Sequence, residues 1–300
     1  MVLIKSKAAG RLRYLRWRWL QNFRDSLAYT FDKRNLDTSS ALILEKLRYD
    51  GITESSEYPD RTHFLDVQRE ALRAVDRVSV THRQTLQAVP NDRKLSRDSL
   101  GREESKDFLQ ILTPKVFTYE SVYLRYAVQP EFIAIANSYL GLHARLRAIH
   151  LWLNRPTENE PASTQLWHRD GDDLSNLKIF TYLTDVGQDN GPFAFVPGSQ
   201  VLGRRQITPE CSELGRSTDT QMRQVVPDSD WRVCTGRAGS VIFADTSGYH
   251  KGVKPVEDKR VMLMVHYTSR KAVTGSELKL EGNVPTALVR SQRIALGLYD

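Results

Sequence analysis

The 300-residue sequence holds only two cysteines, Cys211 and Cys234. That excludes a disulfide-stapled scaffold and fits reduced thiols in a reducing compartment. No run approaches the roughly 18 apolar residues of a membrane span. The N-terminal stretch has charge but no apolar core followed by a small-residue cleavage site, so a cytoplasmic protein is expected. Internal repeats and low-complexity linkers are also missing. Net charge is scarce where it would matter for nucleic acid. Residues 1–34 carry nine basic side chains against Asp25 and Asp32, which accounts for the whole formal charge of +7. The rest of the chain is formally neutral and has no basic, aromatic-interleaved groove, so no nucleic-acid partner is expected.

What is present divides in two. Residues 10–31 read as one basic helix on which Leu12, Leu15, Trp19, Phe23 and Leu27 share a face. Such a helix either docks on the domain with its arginines in solvent or makes peripheral contact with an anionic membrane or a protein partner. The spacing predicts further helices at 39–48, 64–89, 108–112 and 130–140. The last opens on Pro130 and stops at Gly141. The polar stretch 90–106 reads as an exposed flap. We divide the chain into an N-terminal extension, 1–34, and one domain, 35–300. That domain has a helical part over about 35–142, a β-rich core over about 143–270 and an insertion over about 202–233. The insertion and the flap are the expected lids of a pocket.

From residue 143 onward the pattern is short strands rich in Val, Ile, Phe, Tyr and Thr. They fall at 146–153, 164–168, 178–186, 192–196, 239–243 and 260–267, between Gly, Asn, Asp and Pro turns, as in a sandwich or barrel. Within them lie His168 and Asp170, two residues apart, and His250 on a distant strand. Two imidazoles and one carboxylate make the ligand set of an iron site with open positions. Arg260 opens the strand after His250 and can clamp the far carboxylate of a diacid, which suggests 2-oxoglutarate. His266 and His150 read as core or pocket-wall histidines, Asp172 and Asp173 as solvated turn residues, and Trp167 as a packing residue.

The segments WHRDG, GPFAFVPGSQ, the histidine of SGYHKG and the arginine of DKRVMLMVHY resemble the phytanoyl-CoA dioxygenase family. The likeness spans about residues 146–268, with a weaker echo in EKLRYDGI. It departs at Gln200, where a histidine that is not a ligand is common. The resemblance implies an α+β fold with a double-stranded β-helix (jelly-roll, cupin-like) core and flanking N-terminal helices. It implies His168, Asp170 and His250 as ligands of Fe(2+), and Arg260 as the clamp on 2-oxoglutarate. Gln165 either reaches that cosubstrate or pairs within the barrel, and Thr181 is a candidate donor to its carboxylate. The implied reaction consumes O2, hydroxylates an unactivated carbon of a small-molecule or lipid-linked substrate, and releases succinate and CO2. Asp170 stands where related halogenases have a small residue, so hydroxylation is expected. The alternative is a non-oxidative jelly-roll protein that binds a metal or ligand.

Overall fold

The N-terminal segment forms α1 (Lys7–Arg16) and α2 (Phe23–Asp32), separated by a π-helical turn at Trp17–Gln21. The structure is a computed structural model, and it describes residues 7–33, 35–55, 61–88, 108–112 and 116–298. The wide turn forms because Asn22 places both its backbone N–H and its side-chain amide on the Trp17 carbonyl, at 3.0 and 3.1 Å. A hydrogen bond that spans five residues instead of four widens the turn, rotates the helix and leaves Trp17 buried. Trp17 donates to Asp173 at 2.6 Å, Tyr14 donates to the Leu140 carbonyl at 3.0 Å, and Tyr29 meets Ser138 at 2.9 Å. The segment therefore docks through its Tyr14–Trp17–Tyr29 side. The apolar face read from the sequence is turned the other way: Leu12, Leu15, Phe23 and Leu27 are exposed, as are Leu20 and Phe31.

Helix α3 (Thr38–Asp50) starts on Asp37, which accepts from the Ser40 N–H at 2.9 Å and from the hydroxyls of Ser39 and Ser40. Those hydrogen bonds to its charged form lower the Asp37 carboxyl to about 2. Gly51, at φ 76°, ends the helix in the left-handed conformation and leads into β1 (Ile52–Ser55). Helix α4 (Arg61–Ala88) buries Val67, Ala71 and Val75. The flap expected at 90–106 lies outside the described residues. Residues 108–112 were expected to be helical, but Phe108–Gln110 is a strand, β2, that adds to the edge of the main sheet with Leu109 opposite Leu153. So short an apolar run has no readable period, and the waiting sheet edge decides its conformation. β3 (Val116–Thr118), α5 (Val122–Ala127) and α6 (Pro130–Leu140) follow, the last with Pro130 in its first turn and Gly141 at φ 71°.

The β-rich part contributes β4 (Arg145–Asn154), β5 (Leu177–Tyr182), β6 (Phe193–Phe195), β7 (Arg232–Cys234), β8 (Val241–Ala244), β9 (His250–Gly252), β10 (Arg260–Thr268) and β11 (Lys279–Glu281). Between β6 and β7 lies the short helix α7 (Asp219–Arg223), and α8 (Arg290–Ala295) closes the described chain. A six-stranded antiparallel sheet runs β1-β8-β5-β10-β4-β2, and a three-stranded one runs β7-β6-β9. β3 and β11 form a separate parallel pair. The fold is an α+β jelly-roll. The helices bury one face of the large sheet through Val261, Leu263, Val265, Tyr267, Ile179 and Leu151. The other face meets the small sheet through Phe180, Tyr182, Phe193, Phe195, Met262 and Met264.

Segment 164–168 was expected to be a strand. It forms instead a 3-10 turn at Ser163–Gln165, and then only single bridge pairs: Trp167 with Ser217, and His168 with His250.

Candidate metal centre

Those single bridges build the site. In an antiparallel pair the residues directly opposite one another point to the same face. His168 and His250 exchange both backbone hydrogen bonds, at 3.0 and 2.9 Å, so their rings stand side by side with centroids 4.2 Å apart. The chain then turns, and the Asp170 N–H donates to the Thr246 carbonyl at 2.9 Å, which brings its carboxylate back between the rings. Asp170 Oδ1 lies 3.8 Å from His168 Nε2, and Oδ2 lies 3.5 Å from His250 Nε2. One ligand atom from each of the three falls within 4.8 Å of the others.

The donor chemistry fits a divalent cation. His168 Nδ1 lies 2.8 Å from the Leu166 carbonyl and His250 Nδ1 lies 3.0 Å from the Gly248 carbonyl. A carbonyl oxygen can only accept, so each Nδ1 carries the hydrogen and each Nε2 offers its lone pair inward. Burial pushes the pKa of both rings below the ordinary histidine value, His168 well below it, and each also lies close to the other or to Lys178. Burial alone would raise the Asp170 carboxyl, but Lys178, His250 and His168 outweigh it and hold it well below the usual carboxylate range. Two neutral imidazoles and one carboxylate are the form in which these groups bind a metal.

Lys178 is a site residue that the sequence reading missed. Its ammonium donates to Asp170 Oδ2 at 2.7 Å, fixing one carboxylate oxygen. A lysine at even spacing from Phe180 and Tyr182 in an otherwise apolar strand was the available signal. Arg147 is a second omission, ion-paired with Asp172 at 3.3 Å and Glu277 at 3.4 Å. His150 contacts Glu277 at 3.1 Å, and His266 Nδ1 lies 3.4 Å from the Arg147 guanidinium. All of these line one cavity of about 980 Å³ that also holds His168, Asp170, His250 and Arg260.

Arg260 is buried at the start of β10, where it donates to the Gly191 carbonyl and, at 3.2 Å, to Asn154 Oδ1. Its Nε has no partner among the described residues. Gly252 leaves it room, since a Cβ there would sit 3.0 Å from Nη2. A buried guanidinium with a spare donor, on the wall of a cavity that holds a candidate metal triad, suits the carboxylate of a diacid.

Thr181 and Gln165 both fall outside the residues that line the cavity. Thr181 points to the helix side of β5, where its hydroxyl meets Tyr126 at 2.9 Å, because strand alternation sends Lys178 and Phe180 to the cavity and Tyr182 to the core between the sheets. Gln165 is buried beside the cavity mouth. Its side-chain oxygen accepts from the Ala162 N–H at 3.1 Å, closing the 3-10 turn, and it is not among the lining residues. Asp172 and Asp173 are not solvated turn residues. Asp172 faces the cavity, and Asp173 is buried, receiving hydrogen bonds from Trp17, Leu174 and Ser269. Trp167 packs outward, 4.8 Å from Trp231, and donates to Asp219.

Residues 65–254 match the family model described as Phytanoyl-CoA dioxygenase (PhyH). No curated protein matches the chain. Among solved structures it is similar to the non-heme alpha ketoglutarate dependent epimerase SnoN from nogalamycin biosynthesis, at 16% identity and TM-score 0.52, over 80% of this chain and 87% of that one. The carbocyclase SnoK from the same biosynthesis is 17% identical with TM-score 0.51, over 83% and 95%. EvdO2 from Micromonospora carbonacea var. aurantiaca, solved with 2-oxoglutarate, is 17% identical with TM-score 0.51, over 79% and 92%. At these identities the likeness concerns the fold.

Proposed function

The chain belongs to the phytanoyl-CoA dioxygenase family, whose cofactors are Fe(II) and 2-oxoglutarate, and from that premise we propose that it hydroxylates an unactivated carbon of a small-molecule or lipid-like substrate, releasing succinate and CO2. The observation that carries this reading is the convergence of His168, Asp170 and His250 on one wall of the cavity that also holds Arg260. Bound iron(II) supplies the activation of O2 coupled to oxidative decarboxylation of 2-oxoglutarate. The protein's part is positional. His168 and His250 present Nε2, held in place by the Leu166 and Gly248 carbonyls, while Lys178 restrains one oxygen of Asp170. Arg260, seated by Asn154 and Gly191, receives the cosubstrate's far carboxylate. Phe180, Phe193, Met262 and Met264 supply the apolar part of the cavity wall, with Phe193 stacked on the His250 ring.

Anaerobic addition of Fe(II) and 2-oxoglutarate should give the charge-transfer absorption of a chelated 2-oxo acid, and air should then yield succinate. His168→Ala should abolish both. A wild-type protein that binds metal and cosubstrate yet never forms succinate with any substrate supplied would favour the non-oxidative binding protein.

The domain from residue 35 onward carries this chemistry. The free cysteines, Cys211 and Cys234, support a reducing, cytoplasmic setting. Among the described residues no helix is long and apolar enough to cross a membrane. Peripheral contact with an anionic lipid surface is supported by the exposed Leu12, Leu15, Leu20, Phe23 and Phe31, which stand among the exposed Arg11, Arg13, Arg16 and Arg24. A second copy on that face would set arginine against arginine. Co-sedimentation with phosphatidylserine-containing vesicles, but not with phosphatidylcholine alone, is the expected result. A dimer that disappears on Leu20→Glu would overturn it.

A further inference from the structure

The cavity wall carries five cations, Arg147, Arg169, Lys178, Arg216 and Arg260, against the carboxylates Asp170, Asp172 and Glu277. Iron(II) and a dianionic cosubstrate cancel one another, so two positive charges on the cavity wall stay unbalanced. Most of these cations are already occupied. Arg147 pairs with Asp172 and Glu277, and Lys178 with Asp170. Arg169 lies over the Tyr249 ring and donates to the Ser199 carbonyl, and Arg260 has Asn154 and Gly191. Arg216 is different. Its side chain has no hydrogen-bond or ion-pair partner among the described residues, and its Nη1 is buried and unsatisfied.

Local structure explains why Arg216 faces inward. Trp167 and Ser217 exchange both backbone hydrogen bonds at 2.9 Å, which makes them an antiparallel pair. One step along that pairing sets Arg216 opposite His168, and opposite residues share a face. Trp167 points out toward Trp231, so His168 and Arg216 point in. The turn that presents Arg216 is closed by Ser212, whose N–H donates to the Arg216 carbonyl at 2.8 Å and whose hydroxyl accepts from the Arg216 N–H at 3.3 Å. Gly215, at φ 69°, makes the turn possible. Ser212 and Leu214 are exposed and also line the cavity, so this segment forms its rim.

We propose that Arg216 binds an oxyanion, a carboxylate or phosphate, on the primary substrate, and that this enzyme therefore takes anionic small molecules. The inference rests on the oxygenase reading above. Two guanidiniums then flank the triad with separate tasks. Arg260 lies against Gly252, two residues past His250, and holds the cosubstrate; Arg216 stands opposite His168 at the rim and holds the substrate. Arg216 is half-buried, and a neutral substrate would leave its buried Nη1 without an acceptor, which costs free energy. Its planar fork matches an oxyanion in a way a neutral amide cannot.

The test uses the full chain reconstituted with Co(II) and saturating 2-oxoglutarate. Benzoate, acetate and inorganic phosphate are titrated beside benzamide and acetamide, and read by the Co(II) visible spectrum and by thermal shift. At least one oxyanion should bind at millimolar concentration while the amides do not. Arg216→Gln should weaken that binding by about tenfold to a hundredfold, with Arg216→Lys in between. The 2-oxoglutarate affinity of Arg216→Gln should stay within about twofold of wild type. Equal binding of amides, unchanged oxyanion binding in Arg216→Gln, or failure of every oxyanion to bind overturns the assignment. So does a loss confined to 2-oxoglutarate affinity, which would place Arg216 on the cosubstrate. Failure of wild type to bind Co(II) and 2-oxoglutarate sinks the oxygenase reading instead. Thermal shift without metal would still report an Arg216-dependent anion site in that event.

Discussion

Strand β10 has two faces that live under different rules. Toward the helices, Val261, Leu263, Val265 and Tyr267 are buried in a large apolar cluster with α4, α5, α6 and β4. Toward the small sheet, Arg260, Met262, Met264 and His266 line a cavity whose polar groups are only partly satisfied. The first face is close-packed, so removing atoms there costs stability. The second keeps open space and spare donors, so changes there cost binding. One alternating sequence supplies both, and the neighbours across each face decide which residues serve which end.

The comparison can be broken by mutations on either side. The largest effect is expected at the triad. Asp170→Ala or His250→Ala should abolish tight metal binding and succinate formation while the metal-free protein melts close to wild type. Calorimetric titration with Fe(II) or Co(II) checks this, and an intact metal isotherm would remove these residues from the site. Next, Leu263→Ala on the packed face should cost about 2–5 kcal/mol in denaturant unfolding and leave metal affinity intact in the folded fraction. A loss of metal binding without a loss of stability would show that the two faces are not separable.

Arg260→Ala should weaken 2-oxoglutarate binding by about tenfold to a hundredfold at unchanged metal affinity, with Arg260→Lys recovering part of it. The smallest effect belongs to Thr181→Val, which removes one side of the buried Tyr126 contact. About 1 kcal/mol of stability should be lost, with 2-oxoglutarate affinity unchanged. A drop in that affinity would return Thr181 to the cosubstrate site.

These residues also mark how far the sequence could be read. The His168–Asp170 pair and His250 were visible because metal ligation demands particular residue types. The β-rich half was visible because alternation and turn residues are local signals. Thr181 was misassigned because both faces of β5 are largely buried, so alternation shows that two sets exist, and only Lys178 marks which set faces the cavity. The N-terminal segment docks on the domain with Arg11, Arg13, Arg16 and Arg24 exposed, as one of the two expected readings had it, but which side docks was not legible, for a related reason. Its apolar stripe was recognised, but the Asn22-capped π-turn rotates Trp17 and Tyr29 onto the domain, and polar hydrogen bonds to Asp173 and Ser138 outcompete the stripe. Asp173 looked like a turn residue because its three donors come from as far away as residues 17 and 269.

The sequence by itself determined which residue types, His168, Asp170 and His250, are candidate ligands, that a cation, Arg260, opens the last core strand, and that a helical half is followed by a stranded one. Only the tertiary structure decided that Lys178 restrains Asp170, that Arg147 belongs to the wall, and that Arg216 stands across from His168. Residue type and spacing are properties of one stretch of chain. Which strand lies beside which is fixed by pairing between segments tens of residues apart, and the His168–His250 and Trp167–Ser217 bridges exist only once the barrel has closed around them.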